Sequence, residues 1–168
     1  MNGITIIVAM DRNRVIGKQG EIPWSGHLRD DMKHFKDYTT GKTVVMGRKT
    51  WDSIPPKFKP LPMRENVIMT NDQRFKASDC FLIHSPDAIK SLSGIQEICI
   101  IGGAEIYKLF LPMADKLIVT IVDTEVLGGD AFFPEITEEW DERLLSIHKA
   151  DERNLFPFSI FEYTKDPF

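Results

Sequence analysis

Asp31 stands where a carboxylate is expensive. Residues 28–38 read as a helix, and at about 100° per residue Leu28, Met32, Phe35 and Tyr38 share one face. Arg29, Asp30, Lys33, His34 and Asp37 share the other. Asp31 falls inside the apolar stripe, between Leu28 and Phe35, while Asp30 lies on the polar side, spaced to pair with His34. A carboxylate facing a core is costly unless it has a partner. Desolvation raises its pKa, which suits proton transfer or recognition of a cationic or amide-like ligand. The other possibility is an apolar face that ends early, with Asp31 at a wet rim. Upstream, Asp11–Gly26 contains Gly17, Gly20, Pro23 and Gly26 and reads as a long loop. Loops of that length in compact domains are usually functional, and this one could form a pocket wall or lid.

Two strand-to-helix junctions carry a second chemistry. Val44-Val45-Met46-Gly47-Arg48-Lys49-Thr50 runs from a strand through glycine into a helix start with two cations and a hydroxyl. Free N–H groups and the positive dipole end make such a start a phosphate site, and Arg48 and Lys49 add charge-assisted bonds. Ordinary basic residues on a surface helix would look the same. Ile98-Cys99-Ile100-Ile101-Gly102-Gly103-Ala104-Glu105 is the second junction. Paired glycines there permit unusual backbone angles and close approach of a ligand, although tight turns also use them. The motif is neither GxGxxG nor a Walker loop. Two such junctions in one α/β chain point to a dinucleotide cofactor beyond the carboxyl ends of the strands. Other chemistries find little support. His27, His34, His84 and His148 are scattered, and no HExxH, CxxC or GxSxG occurs.

The elements that must position these residues alternate between strand and helix. Strands are expected over Ile4–Met10, Thr43–Met46, Asn66–Thr70, Cys80–His84, Glu97–Ile101 and Lys116–Val122. Helices are expected over Leu28–Tyr38, Arg48–Ile54, from Ser85-Pro86 to near Gly94 with Ser85 as N-cap, and over Ala104–Leu111. Pro55, Pro56, Pro60 and Pro62 exclude a helix interior between them. Trp140–Lys149 and Pro157–Thr164 read as a hairpin. The implied fold is α/β: one domain over residues 1–168, with a central, mostly parallel sheet of about eight strands, flanking helices and an antiparallel C-terminal hairpin.

Composition narrows the class. Of 168 residues, 42% are hydrophobic and 27% charged, as in a soluble globular domain. Lys and Arg total 21 against 25 Asp and Glu, a net charge of −4, which argues against nucleic acid as a partner. No apolar run approaches the roughly 18 residues of a membrane span. Ile4–Met10 is followed by Asp11-Arg12-Asn13-Arg14 and so does not read as a signal peptide. Cys80 and Cys99 sit in apolar runs as small buried hydrophobes, which fits a reducing, cytoplasmic compartment.

Together these residues resemble dihydrofolate reductase along nearly the whole chain. In that family's order stand Val8-Ala9-Met10-Asp11, Val15-Ile16-Gly17, Ile22-Pro23-Trp24 and Leu28-Arg29-Asp30-Asp31-Met32-Lys33-His34-Phe35. Val45-Met46-Gly47-Arg48-Lys49-Thr50-Trp51-Asp52-Ser53-Ile54, Pro60-Leu61-Pro62, Arg64 and Asn66-Val67-Ile68 follow. Ile100-Ile101-Gly102-Gly103-Ala104-Glu105-Ile106-Tyr107, Leu111-Pro112, Thr120 and Gly129-Asp130-Ala131-Phe132-Phe133-Pro134 complete the series. The resemblance implies NADPH-dependent reduction of 7,8-dihydrofolate to tetrahydrofolate, in one-carbon metabolism and thymidylate synthesis. It implies a cytoplasmic monomer that binds folates and antifolates but neither nucleic acid nor membrane.

Residue by residue, Asp31 matches the family's active-site acid, which holds the pterin and helps a proton reach N5. Thr120 matches the threonine supporting it, Trp24 the tryptophan beside it, and Ile22 the apolar lid position. Met32, Phe35, Ile54 and Leu61 match the pterin and benzoyl pocket, with Ile7, Val8 and Ile101 at its floor. Arg64 matches the clamp for the glutamate tail. On the cofactor side, Ala9, Ile16 and Gly17 match contacts to nicotinamide. Gly47, Arg48, Lys49 and Thr50 match phosphate contacts, and Met69, Thr70 and Asn71 match positions near the adenosine. Ile101, Gly102, Gly103, Ala104, Glu105, Ile106 and Tyr107 match the Gly-Gly segment, where a cis peptide is expected. No metal is implied.

Four departures stand out. Trp24–Leu28 is about two residues longer than in short bacterial members. Phe58-Lys59 replaces a common Gly-Arg, Met63 replaces a usual glycine before Arg64, and Glu105 stands where some relatives carry arginine. Two rival readings are a reductase of a pyrimidine or riboflavin-pathway substrate and a non-catalytic folate- or nucleotide-binding module. The first would share the cofactor junctions without needing Asp31 or Arg64, and intact Asp31, Trp24 and Thr120 argue against the second.

Overall fold

A computed structural model describes residues 3–92 and 96–165. In chain order its elements are β1 (Ile4–Asp11), β2 (Val15–Gly17), α1 (Arg29–Thr39), β3 (Thr43–Gly47), α2 (Arg48–Ser53), β4 (Glu65–Met69), β5 (Phe81–Ile83), β6 (Ile98–Gly102), α3 (Ala104–Phe110), β7 (Lys116–Val122), β8 (Ala131–Phe132), β9 (Trp140–His148) and β10 (Phe158–Lys165). Eight strands form one sheet in the order β5-β4-β3-β6-β1-β7-β10-β9, and β2 pairs with β8 in a second, two-stranded one. The chain divides into two compact units, with β1 contributing to both.

The first unit comprises residues up to Ile6 and Thr39–Ala114. Its strands pair in parallel: β3 with β4 and β6, β4 with β5, and Ile4–Ile6 with Ile98–Ile100. Buried parallel strands read as unbroken apolar runs, and β3 is buried at every position. Between β3 and β6 the register slips, from Val45 opposite Ile100 to Met46 opposite Gly102. Ile101 is the extra residue, and such a bulge re-aims a side chain, here directly before the paired glycines. Two expectations fail in this unit, the α-helix after Ser85 and the burial of Cys80. Ser85-Pro86 opens a 3-10 helix over Pro86–Ser91, and Ser85 makes no side-chain cap. Its N–H groups reach back three residues rather than four, Ala88 to the Ser85 carbonyl and Leu92 to that of Ile89, which is the tighter 3-10 pattern. The expected stop at Gly94 lies outside the described residues. Cys80 is only half-buried, its thiol bonded to the carbonyl of Ala77, whereas Cys99 is fully buried.

The second unit comprises Ile7–Tyr38 and the residues from Asp115 onward. Here β10 pairs antiparallel with both β7 and β9, as the expected C-terminal hairpin requires. The expected loop over Asp11–Gly26 is less bare than its glycines imply, because β2 within it pairs with β8. Asp11 fastens its start. This residue is fully buried, its Oδ1 accepts the N–H groups of Asn13 and Val15 at 2.8 Å each, and its Oδ2 accepts that of Val126 at 2.8 Å. Asp11→Ala leaves three backbone donors without their acceptor, each worth about 1 kcal/mol or more. Urea unfolding of that variant is expected to show a loss of about 3 kcal/mol, and a loss within 0.5 kcal/mol, ordinary for a surface substitution, would contradict it.

Candidate active site

In the second unit α1 carries Asp31 in its first turn, and β7 carries Thr120 opposite Ile160 of β10. The Thr120 hydroxyl is buried and donates to Oδ1 of the half-buried Asp31 at 2.7 Å. Burial pushes the Asp31 carboxyl pKa up; the Thr120 bond, and then the His34 and His148 charges, pull it partly back. A carboxyl so placed binds N–H groups when ionised and keeps its proton to higher pH than an ordinary carboxyl.

The polar face of α1 departs from its helical-wheel expectation. Asp30 pairs not with His34 but with Arg153 and Asn154. His34 is half-buried, its Nε2 is enclosed without a hydrogen-bond partner, and burial lowers its pKa. Arg29, Lys33 and Asp37 on the same face are exposed. In the fold this face borders a groove of about 610 Å³ shared with Ser146, His148 and Ile160. Conversely, Met32, from the apolar stripe, is 57% exposed, and Phe35 is half-buried. An apolar side chain left open beside a half-buried acid is surface that a flat ligand can cover.

Of the other expected residues in this unit, Trp24, Ile7 and Val8 are buried, Ala9, Ile16 and Gly17 are half-buried, and Ile22 is exposed. No hydrogen bond joins Trp24 to Asp31 among the described residues. The loop bearing Ile22 is fastened to the segment before β8: Asp130 accepts the Gln19 N–H through Oδ2 at 2.9 Å, and its own N–H donates to the Gly17 carbonyl at 3.0 Å. Sequence reasoning gave Asp11 and Asp130 no role, since their partners are backbone groups that no side-chain pattern announces.

In the first unit the two junctions lie against each other. A Cβ at Gly47 would sit 2.8 Å from Cγ1 of Ile106, so the strand end must be bare for α3 to approach. Gly102 has φ +116°, and a Cβ there would meet the buried Tyr107 side chain at 3.1–3.2 Å. At Gly103 a Cβ would meet only Thr50 Oγ1, at 3.7 Å, which leaves backbone open to a ligand. The Gly102–Gly103 peptide is cis, as is Lys59–Pro60. Arg48 is not a free cation: it pairs with Asp52 at 3.0 Å, lies 3.9 Å from Asp72 and stacks on Phe75. Lys49 is exposed and makes no ion pair among the described residues. Ala104 and Thr50 are half-buried, Met69 and Thr70 buried, and Asn71 and Glu105 exposed. Bare glycine backbone, an open cation and a hydroxyl are what a dinucleotide phosphate requires.

A family model described as dihydrofolate reductase matches residues 3–165. The chain belongs to the dihydrofolate reductase family. It is 42% identical over 154 residues to a dihydrofolate reductase of Haemophilus influenzae, covering 90% of this chain and 92% of that protein. It is 39% identical over 155 residues to one of Staphylococcus aureus, covering 92% of each. Among solved structures, a dihydrofolate reductase from Enterococcus faecalis complexed with NADP(H) and RAB-propyl superposes with a TM-score of 0.86 at 32% identity, over 98% of this chain and 96% of that one.

Against the dihydrofolate reductase pattern, the substitution at Met63 now has a geometry. Met63 takes φ +58°, the left-handed conformation that glycine adopts freely, and is 79% exposed. Its carbonyl accepts the Gly41 N–H at 2.8 Å. The turn therefore keeps its shape at the cost of strain. Arg64 beyond it is half-buried, which lowers its pKa, and donates to the Pro62 carbonyl at 2.9 Å and Thr39 Oγ1 at 3.1 Å. Leu61 and Ile54 are half-buried in the same unit. Met63→Gly removes about 1 kcal/mol of strain and returns part of it as unfolded-chain entropy. A net gain of a few tenths of a kcal/mol, read from the denaturant midpoint, is expected; a net loss would show that the methionine side chain contributes packing.

Proposed function

We propose that the chain reduces 7,8-dihydrofolate to 5,6,7,8-tetrahydrofolate with NADPH, using Asp31 as its acid. The observation that carries this reading is Asp31 itself, a half-buried carboxyl with an upward-shifted pKa held by one hydroxyl, in a member of the dihydrofolate reductase family. When bound, NADPH supplies the hydride taken by C6 of the pterin. Ionised Asp31 accepts the N–H bonds of the pterin amino group and ring; protonated, it supports delivery of a proton to N5, so that one hydride and one proton complete the reduction. Thr120 orients the carboxyl, and Trp24 matches the family's tryptophan that helps hold an ordered water. Ile22 covers the reacting atoms, since excluding water strengthens every charge interaction there. Met32, Phe35, Ile54 and Leu61, with Ile7, Val8 and Ile101, give the pterin and benzoyl rings apolar surface. Arg64 offers its guanidinium fork to the glutamate-tail carboxylate.

The residues of the first unit fit NADPH. Gly47, Gly102 and Gly103 leave backbone accessible, Thr50 and Lys49 offer a hydroxyl and a free charge, and Arg48 is held ready by two carboxylates. Met69, Thr70 and Asn71, with the segment Ala104–Tyr107, would hold the adenosine and phosphates, and the family pattern assigns the nicotinamide to Ala9, Ile16 and Gly17 of the second unit. Lys49 and Arg48 favour the extra phosphate of NADPH over NADH.

We further propose a cytoplasmic monomer in which residues 1–168 act as one folding domain. Two free cysteines accord with a reducing compartment. The edge strand β9 carries a bulge at the Ile160/Phe161 register shift, a feature that discourages edge-to-edge pairing. No helix among the described residues is long and apolar enough to cross a membrane.

The test is the loss of NADPH absorbance with purified protein. Loss that needs dihydrofolate and stops with one equivalent of methotrexate supports the reading. Tight NADPH binding without turnover of dihydrofolate overturns the substrate assignment, and pyrimidine or riboflavin-pathway substrates would be tried next.

A further inference from the structure

Leu28, the residue before α1, has no side-chain oxygen with which to cap its first turn. His27 before it supplies none either, yet the turn's N–H groups need acceptors. The connection between β9 and β10 provides them. The Arg29 N–H donates to the Arg153 carbonyl at 3.1 Å, and the Asp30 N–H donates to Oδ1 of Asn154 at 3.1 Å. The Asp30 carboxylate is held at both oxygens, by Nε of Arg153 at 2.9 Å and Nδ2 of Asn154 at 2.8 Å. Asn154 is 1% exposed and is itself fixed by Asp151, whose Oδ1 accepts its backbone N–H at 2.9 Å and its Nδ2 at 3.0 Å. The Leu155 N–H donates to the His27 carbonyl at 2.8 Å, and Leu28 bridges to Asn154. The helix start is thus capped in trans, by residues over a hundred positions away.

We propose that Asn154 and Arg153 are positioning residues for the reaction: through Asp30 they fix the first turn of α1 and so the aim of the neighbouring Asp31 carboxylate at Thr120 and the substrate. The inference rests on the reading of Asp31 as the acid. A frayed first turn lets Asp31 swing, and displacements of about 1 Å at a reacting group can cost on the order of 10²-fold in rate. Buried Asn154 therefore matters more than a surface ion pair, which by itself is worth about 0–1 kcal/mol. The charged groups acting on Asp31, His34 on its own helix and His148 on β9, are left untouched by changes at residues 153 and 154.

The experiment compares Asn154→Ala, Arg153→Gln and Asp31→Asn with the unaltered enzyme. The readouts are kcat and KM for dihydrofolate, NADPH affinity, Tm and the pH profile of turnover. Asn154→Ala is expected to lower kcat/KM for dihydrofolate about tenfold with NADPH affinity unchanged. The pH at which turnover falls should rise, because a loosened Thr120 bond no longer holds the Asp31 pKa down. Arg153→Gln, exposed and expected to fold, should show a smaller loss of about two- to threefold in the same direction. If Asn154→Ala does not fold, Arg153→Gln and Asp30→Asn decide. A lowered Tm with unchanged kcat/KM and pH profile overturns the inference alone. Unaltered turnover in Asp31→Asn overturns the reading of Asp31, and the inference with it.

Discussion

Asp31→Asn is expected to bind NADPH as the unaltered enzyme does and to lose reduction of dihydrofolate near neutral pH by ~10²–10⁴-fold, the usual contribution of a positioned acid. Asparagine keeps the shape and an oxygen for the Thr120 hydroxyl but carries no titratable proton. The same variant should be more stable. Burial raises the Asp31 pKa above its ordinary value. Between the unfolded and folded pKa values the folded state binds more protons than the unfolded one. Stability therefore falls as pH rises from the ordinary carboxylate pKa through the folded one, and the penalty is largest above the folded pKa. Removing the charge should relieve it, by on the order of 1 kcal/mol, as at many functional sites. At pH values below the ordinary carboxylate pKa the two proteins should converge in Tm. A variant less stable than the parent at neutral pH would show that the Thr120 bond outweighs the desolvation.

Gly102→Ala should be damaging for a different reason. At φ +116° an alanine is strained by about 1–3 kcal/mol, and its Cβ would press on the hydroxyl of the buried Tyr107 at 3.1 Å and on two of its ring carbons at 3.2 Å. Tyr107 cannot retreat easily, because its N–H donates to the Gly103 carbonyl at 2.9 Å and its side chain is only 5% exposed. A total loss of about 3 kcal/mol is expected in urea unfolding, with NADPH affinity reduced about tenfold, or 1.4 kcal/mol, as the strand end shifts. Parent-like stability and affinity would mean that the junction has room to relax.

What the sequence makes legible here follows from the range of each interaction. Buried parallel strands announce themselves as apolar runs, so β1, β3, β6 and β7 lie where expected, within a residue or so at each end. Asp31 is legible because a helix has a fixed period and one residue breaks it. The partners of Asp30 and Asp11 are not, because they lie more than a hundred positions away or are backbone amides. The enclosure of His34 is hidden for the same reason: a helical wheel sees one helix and not the groove beside it. Strands β2 and β8, three and two residues long, are too short to leave a pattern. The Met63 turn shows a local rule broken in sequence and kept in geometry.

On this account the half-buried carboxyl of Asp31 governs the proton step. The most direct test is the single-turnover rate of hydride transfer from NADPH to dihydrofolate as a function of pH, in the unaltered enzyme and in Asp31→Asn. The expected result is a rate that rises as pH falls through an ionisation above the ordinary carboxylate value, with that ionisation absent from the variant. The same ionisation in both proteins, at similar rates, would contradict it.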